Sequence, residues 1–208
     1  MNSSKLAALT FDDGPNTVTT PQVLDVLEKH NVTATFFVIG NNITPESSEV
    51  MLRAVKMGCG IENHSRTHSD MTKMSAGEIS AEISFTSGAI EKAAGRRPEF
   101  FRPPYIACGQ QMFDTIDLTF ICGIGADDWN EEISADERFR RITEQVSDGS
   151  VILLHDMEGN FRTVEAIDRI IPAMKADGYE FVTVSELFSR KGIVPKKNII
   201  YTNVFQDK

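Results

Sequence analysis

Seven short apolar runs recur along the chain with helix-like segments between them, and this alternation limits the possible folds more than any other feature. The runs are Leu6–Phe11, Thr33–Ile39, Cys59–Glu62, Glu99–Arg102, Leu118–Ile124, Val151–His155 and Glu180–Val184. Strands that alternate with helices pair in parallel, because each crossover helix returns the chain to the same end of the sheet, and such crossovers are right-handed. Helix starts are legible between the runs. Thr20-Pro21 reads as the cap and first residue of a helix carrying Val23, Leu24 and Leu27 on one face, and Thr44-Pro45 opens the next in the same way. Ser75 with Glu78 and Ser134 with Glu137 read as capping boxes, and Gly58, Gly95 and Gly178 stand where helices should end. A further helix over 163–176 carries Ile167, Ile170, Ile171 and Met174, with a kink expected at Pro172. A length of 208 residues is short for eight such units. The prediction is an α/β fold, a distorted or incomplete (β/α)7 barrel forming one domain over residues 1–208. An open doubly wound sheet is the alternative. The tail from Ile193 onward, with Lys196-Lys197, is expected to wrap over the surface.

Composition removes several classes of function. Apolar content of 41% and charged content of 25% are those of a soluble globular domain. A net charge of -9 leaves no basic stripe to neutralise phosphates, so nucleic acid is not an expected partner, and a neutral or cationic polymer suits the surface better. The three cysteines, Cys59, Cys108 and Cys122, are too few and too scattered for a disulfide framework or a zinc knuckle. Cys59 and Cys122 lie in apolar runs and are expected to be buried small hydrophobes. No apolar stretch is long enough to span a membrane, and Met1–Ser4 runs straight into the first strand without a signal peptide. The expectation is a monomer with no membrane association. It is either cytoplasmic, or secreted or held at the cell surface as part of a longer precursor.

Chemistry gathers at the C-terminal ends of strands in barrels of this kind. Asp12 and Asp13 close the first run, where Gly14-Pro15 turns the chain. Asp-Asp-Gly-Pro alone makes an ordinary turn, but the other strand ends are equally polar. His64 and His68 follow the third, Arg102 ends the fourth, Asp127-Asp128-Trp129 follows the fifth and His155 ends the sixth. Successive strand residues point to opposite sides, so one of the two aspartates can bind a metal while the other faces what the metal activates. Two histidines four apart can share one ion, and two imidazoles with one carboxylate leave coordination positions open, as a catalytic site requires. That donor set suits Zn, Co, Ni or Fe(II). The fourth histidine, His30, sits at a helix C-terminus, where the helix dipole is reason enough for it.

Asp12-Asp13, His64-Ser65-x-x-His68, Arg102-Pro103-Pro104-Tyr105, Asp128-Trp129 and Leu153-x-His155 together resemble, in order, the five motifs of the polysaccharide deacetylases, the NodB-like domain of carbohydrate esterase family 4. The resemblance spans residues 5 to about 190, and within the family the chain is most similar to acetylxylan esterases of anaerobic clostridia. It implies that Asp13, His64 and His68 hold one divalent transition metal, Zn, Co or Ni. It implies Asp12 as general base, Arg102 as the partner that holds Asp12, and His155 as general acid toward the leaving group. The Tyr105 N–H would stabilise the oxyanion, and Leu153 and Trp129 would enclose the acetyl methyl, with Asp128 and Pro104 also at the substrate. The implied activity is metal-dependent deacetylation of an acetylated polysaccharide or oligosaccharide, foremost the O-acetyl esters of acetylxylan. N-deacetylation of chitin oligomers or peptidoglycan, hydrolysis of small amides, and a non-catalytic carbohydrate-binding relative are the alternatives.

The fourth motif departs from the expected pattern. The family pattern places an Asp four residues before the Trp, where this chain has Gly125. Either Asp127 or Asp128 supplies a carboxylate to His155 from another angle, or His155 has none. Without one its imidazolium is less favoured and its pKa falls. That second case predicts a preference for ester over amide substrates, since an alkoxide needs less help from an acid than an amine does.

Overall fold

The computed structural model describes residues 5–206; Met1–Ser4, read above as leading into the first strand, lie outside the described residues. The elements in chain order are β1 (Lys5–Asp12), α1 (Thr19–His30), β2 (Thr35–Val38), α2 (Pro45–Lys56), β3 (Gly60–Asn63), α3 (Ala76–Ala94), β4 (Phe100–Phe101), α4 (Gln110–Thr115), β5 (Thr119–Ile121), β6 (Ile124–Gly125), α5 (Ala135–Gln145), β7 (Ser150–His155), α6 (Phe161–Ala176), β8 (Tyr179–Phe181), α7 (Val184–Lys191) and β9 (Ile200–Tyr201). The strands form one sheet in the order β6-β7-β1-β2-β3-β4-β5-β9, every pairing parallel, and β8 pairs with the foot of β1 at Lys5–Ala7. The fold is a distorted barrel ringed by helices.

β1 explains why. Every residue of it after Lys5 is buried, because both faces of the strand are covered. Ala7, Leu9 and Phe11 pack outward in the large core shared with α1, α2 and α6. Leu6 and Ala8 point inward, with Phe37, Ile121, Val151, Tyr201 and Val204. Fully burying each large apolar side chain contributes roughly 1.5–3 kcal/mol. The period of two then fixes what the strand ends present to the mouth. Asp12 follows Leu6, Ala8 and Thr10 on the inner face, and His155 follows Val151 and Leu153 in the same way.

Several boundaries differ from the sequence reading. The run 118–124 breaks into β5 and β6 at Cys122-Gly123, where a side chain on Gly123 would come within 2.8 Å of the Leu153 Cβ. The last run stops at Phe181. Thr183 instead caps α7 through a capping box with Glu186, a Thr-x-x-Glu signal that the strand reading overran. α1 starts at Thr19, not after Thr20: the Thr20 hydroxyl is drawn to Asp156, and the Asn16 side chain accepts from the N–H groups of Val18 and Thr19. Ser134 caps α5, but Glu137 turns to Arg140 and Arg141 and does not complete the box. α6 runs unbroken through Pro172. The tail is a surface wrap only over 193–199, where Val194, Lys196 and Lys197 are exposed. β9 pairs with β5, Tyr201 and Val204 are buried, and beyond β9 the Val151 N–H donates to the Thr202 carbonyl and the Val204 N–H to that of Gly149. The C-terminal segment thus spans the gap between β5 and β7 at the foot of the barrel, while β6 pairs with β7 above it.

Candidate active site

Asp13 leaves β1 with φ 75°, a left-handed conformation that aspartate tolerates better than most residues. Gly14 beside it has no room for a side chain, since a Cβ would lie 2.6 Å from Asp156 Oδ2. The turn brings Asp13 Oδ1 to 3.4 Å from His64 Nε2 and 3.3 Å from His68 Nε2, and the three ligand atoms lie within 4.8 Å of one another. Asp13 Oδ1 is buried and has no hydrogen-bond partner. Leaving a carboxylate oxygen orphaned between two imidazoles is costly unless a cation sits there, and the donor set suits a divalent one. Burial favours the neutral acid of Asp13, but His64, His155 and His68 outweigh it and hold the carboxyl below its ordinary value. His64 Nδ1 lies 2.7 Å from the Arg102 carbonyl oxygen, which can only accept. The proton is therefore on Nδ1, and the Nε2 lone pair faces the site.

The loop carrying the two histidines is held from below. Ser65 and His68 both have left-handed backbones, at φ 63° and 59°. The Ser65 N–H donates to Asn63 Oδ1 and the His68 N–H to Ser65 Oγ. Glu82 of α3 accepts from the N–H groups of Arg66 and Thr67, both at 2.9 Å, through one carboxylate oxygen.

Asp12 faces the site from the inner face of β1. Arg102, fully buried, donates to Asp12 Oδ1 from Nη1 and to the Cys122 carbonyl from Nη2, both at 2.5 Å, and stacks 4.1 Å over the Phe37 ring. A guanidinium fixed on three sides leaves Asp12 one orientation. On the far side His155 Nδ1 is 2.8 Å from Asp128 Oδ1, while Asp128 Oδ2 accepts from the His155 N–H at 2.8 Å and the Thr163 hydroxyl at 2.7 Å. Burial works against the charged imidazolium, but Asp128, with Asp12 and Asp13 adding to it, outweighs that and pushes His155 up to about 9. His155 Nε2 is left facing the cleft. Asp156, one residue on, is wholly buried; burial pushes it up to about 7, with the Thr20 hydroxyl on Oδ2 working against this.

One cleft of about 550 Å3 gathers Asp12, Asp13, His64, His68, Tyr105, Trp129, Leu153 and His155. Tyr105, at φ 59°, and Trp129 stand on its exposed rim, and Leu153 forms part of its wall. Four readings are settled or change. Of the two cases left open by Gly125, the first holds: Asp128 reaches Nδ1, so His155 keeps a carboxylate and its pKa does not fall. Asp128 lines the cleft but is buried, with Oδ1 on His155 and Oδ2 on Thr163 and Asn160, so it holds His155 in place. Pro104 is buried away from the cleft and Pro103 lines it instead. Cys122 is half-buried at the cleft wall, not in the core. Sequence reasoning missed Glu82, Asn160 and Thr163, which lie outside the five motifs. Asp156 was next to a flagged residue, but only its burial singles it out.

Comparison with known proteins agrees with this geometry. The sequence profile described as polysaccharide deacetylase matches residues 1–117. The chain is 50% identical over 203 residues to a bifunctional xylanase/deacetylase of Pseudobutyrivibrio xylanivorans, covering 97% of this chain and 34% of that protein. It is 35% identical over 190 residues to the peptidoglycan-N-acetylglucosamine deacetylase PgdA of Listeria monocytogenes, covering 91% of this chain and 40% of that protein. It thus spans little more than a third of these relatives' lengths. Among solved structures, the family 4 acetyl xylan esterase from Clostridium thermocellum, in complex with a cobalt ion, superposes with a TM-score of 0.93 at 43% identity, covering 97% of this chain and all of that one. An orphaned carboxylate between two imidazoles, a buried Asp–Arg pair on one side and an Asp-held histidine on the other thus sit in a chain that belongs to the polysaccharide deacetylase family.

Proposed function

We propose that this chain is a divalent-metal-dependent carbohydrate deacetylase acting foremost on O-acetyl groups of xylan. The observation that carries the reading is the opposition, across one cleft, of Asp12 locked by Arg102 and His155 locked by Asp128, with the Asp13–His64–His68 triangle between them. Asp13, His64 and His68 would hold a divalent ion (zinc, cobalt or nickel), which would supply Lewis-acid stabilisation of negative charge and lower the pKa of water towards neutral pH. Asp12 takes the proton from the attacking water, and Arg102 keeps its carboxylate aimed there. The Tyr105 N–H donates to the oxyanion. His155 Nε2 gives its proton to the departing sugar oxygen. Leu153 and Trp129 bound the space for the acetyl methyl.

The choice of xylan ester rests on similarity to the xylanase/deacetylase and the acetyl xylan esterase. It no longer draws on Gly125, since His155 keeps its carboxylate. An acid held at about 9 can also protonate an amine leaving group, and this favours N-acetyl glycans as the second reading, alongside the likeness to PgdA. The test is acetate release from acetylxylan and from acetylated chitooligosaccharides, after chelation and again after adding zinc, cobalt or nickel. The expected result is chelator-sensitive, metal-restored release that is faster on acetylxylan. Faster release from the chitooligosaccharides transfers the assignment to N-acetyl substrates, and no release from either leaves a binding relative.

A further inference from the structure

Four aromatic side chains are exposed among the described residues: Phe85, Tyr105, Trp129 and Phe161. Phe85 is covered on one face by the Arg66 guanidinium, 4.1 Å from its ring. Tyr105 and Trp129 line the catalytic cleft, and Phe161 lines the groove next to it. Trp129 is 61% exposed and borders both the catalytic cleft and a second groove of about 370 Å3, whose far rim carries Phe161, 51% exposed, at the first residue of α6. The groove and the cleft are therefore neighbours that share the Trp129 indole. We infer that this groove is a second sugar subsite, in which Phe161, with Trp129, stacks against a pyranose ring of the same glycan chain whose acetylated unit occupies the cleft.

The chemistry of the groove selects that occupant. Its polar rim carries Glu131, Glu158 and Arg162, and none of the three has a hydrogen-bond or ion-pair partner among the described residues. Two carboxylates disfavour an anion and a guanidinium disfavours a cation. Planar acceptors and donors beside aromatic faces suit a neutral, polyhydroxylated ring instead. The axial C–H groups of such a ring rest on the π face while its hydroxyls bond outward. The floor is rigid. Arg138, buried beneath the groove, donates to Asn160 Oδ1 at 2.6 Å and to the Thr163 hydroxyl at 2.8 Å, and Thr163 in turn bonds Asp128. A platform on a fixed floor costs little ordering when the sugar arrives.

This inference rests on the carbohydrate reading, so its test runs on two glycan series and a small ester. Phe161→Ala, Phe161→Trp and the wild type are compared on acetylated xylo-oligosaccharides and chitooligosaccharides of increasing length, and on p-nitrophenyl acetate. The expected result for Phe161→Ala is a KM about tenfold higher on the longer oligomers, with kcat and small-ester turnover unchanged. Phe161→Trp should restore the lower KM. Because the floor also bonds Asp128, a merely structural effect through His155 would depress the small ester and the oligomers alike, and that result overturns the subsite. Unchanged KM on every oligomer also overturns it. A wild type that cleaves the small ester but no glycan overturns the carbohydrate reading itself, an outcome read without the variant.

Discussion

His155 is the residue whose environment departs most from what its place in the sequence implies. A buried imidazole ordinarily loses its proton more easily, yet the Asp128 carboxylate reverses the sign. The folded value of about 9 lies above that of an unfolded histidine. The pair therefore adds stability that is fully present below pH ~6.5 and is lost as pH rises through about 9. In Asp128→Asn the charge is gone while the burial stays. The His155 titration midpoint in the metal-free protein, followed by its ring-proton NMR signal, should fall by about 1–3 units. A midpoint within a few tenths of wild type would remove Asp128 from its place as the partner. The sequence flagged Asp128 and His155 but left open whether Asp127, Asp128 or no carboxylate meets the imidazole, for a physical reason. Strand alternation predicts orientation only within an unbroken strand, and the chain breaks at Cys122-Gly123 before resuming as β6. β6 in turn ends at Gly125 and the chain turns at Asp127 with φ 53°, so counting residues back from Trp129 carries no directional information.

At the scale of elements, the metal-binding loop depends on a helix that the motifs do not mention. α3 was legible from its capping box and from Ile79, Ile83 and Ile90, but a helical period shows which side is apolar, not what lies over the polar edge. Glu82 sits on that edge and takes the N–H groups of Arg66 and Thr67 between the two histidines. Two left-handed residues, Ser65 and His68, make this loop costly to hold without such contacts. Glu82→Ala should weaken divalent-metal affinity by about 10–100-fold, the usual penalty for removing support behind the ligands. The melting temperature of the metal-free protein should change by only a few degrees. Glu82→Gln, which keeps one acceptor oxygen, should fall between. Chelator competition on the three proteins reads the order directly, and equal affinities would show that the loop holds its shape unaided.

The architecture as a whole was largely predictable because β/α alternation with short connections leaves few parallel arrangements. What escaped was closure. Ile200-Tyr201 is too short a run to stand out beside Leu6–Phe11, and its strand character comes from the edge of β5 that receives it. Yet this short strand does structural work out of proportion to its length. Tyr201 is buried against Phe188, ring centroids 5.1 Å apart and nearly perpendicular, and its hydroxyl accepts from the Lys196 N–H. Its carbonyl accepts from the Cys122 N–H, and the Cys122 carbonyl holds the Arg102 guanidinium that aims Asp12. The foot of the barrel thus reaches Asp12 through two residues, the Cys122 backbone and the Arg102 side chain. Removing the ring should leave a cavity that the closed sheet cannot collapse. Tyr201→Ala is expected to cost about 3–5 kcal/mol in urea unfolding, with little change in the slope. Tyr201→Phe loses only the hydroxyl contact and should cost about 0.5–1.5 kcal/mol. A surface wrap predicts something different, since exposed substitutions stay within about 0.5 kcal/mol. A Tyr201→Ala midpoint indistinguishable from wild type would mean that the barrel stands without its last strand.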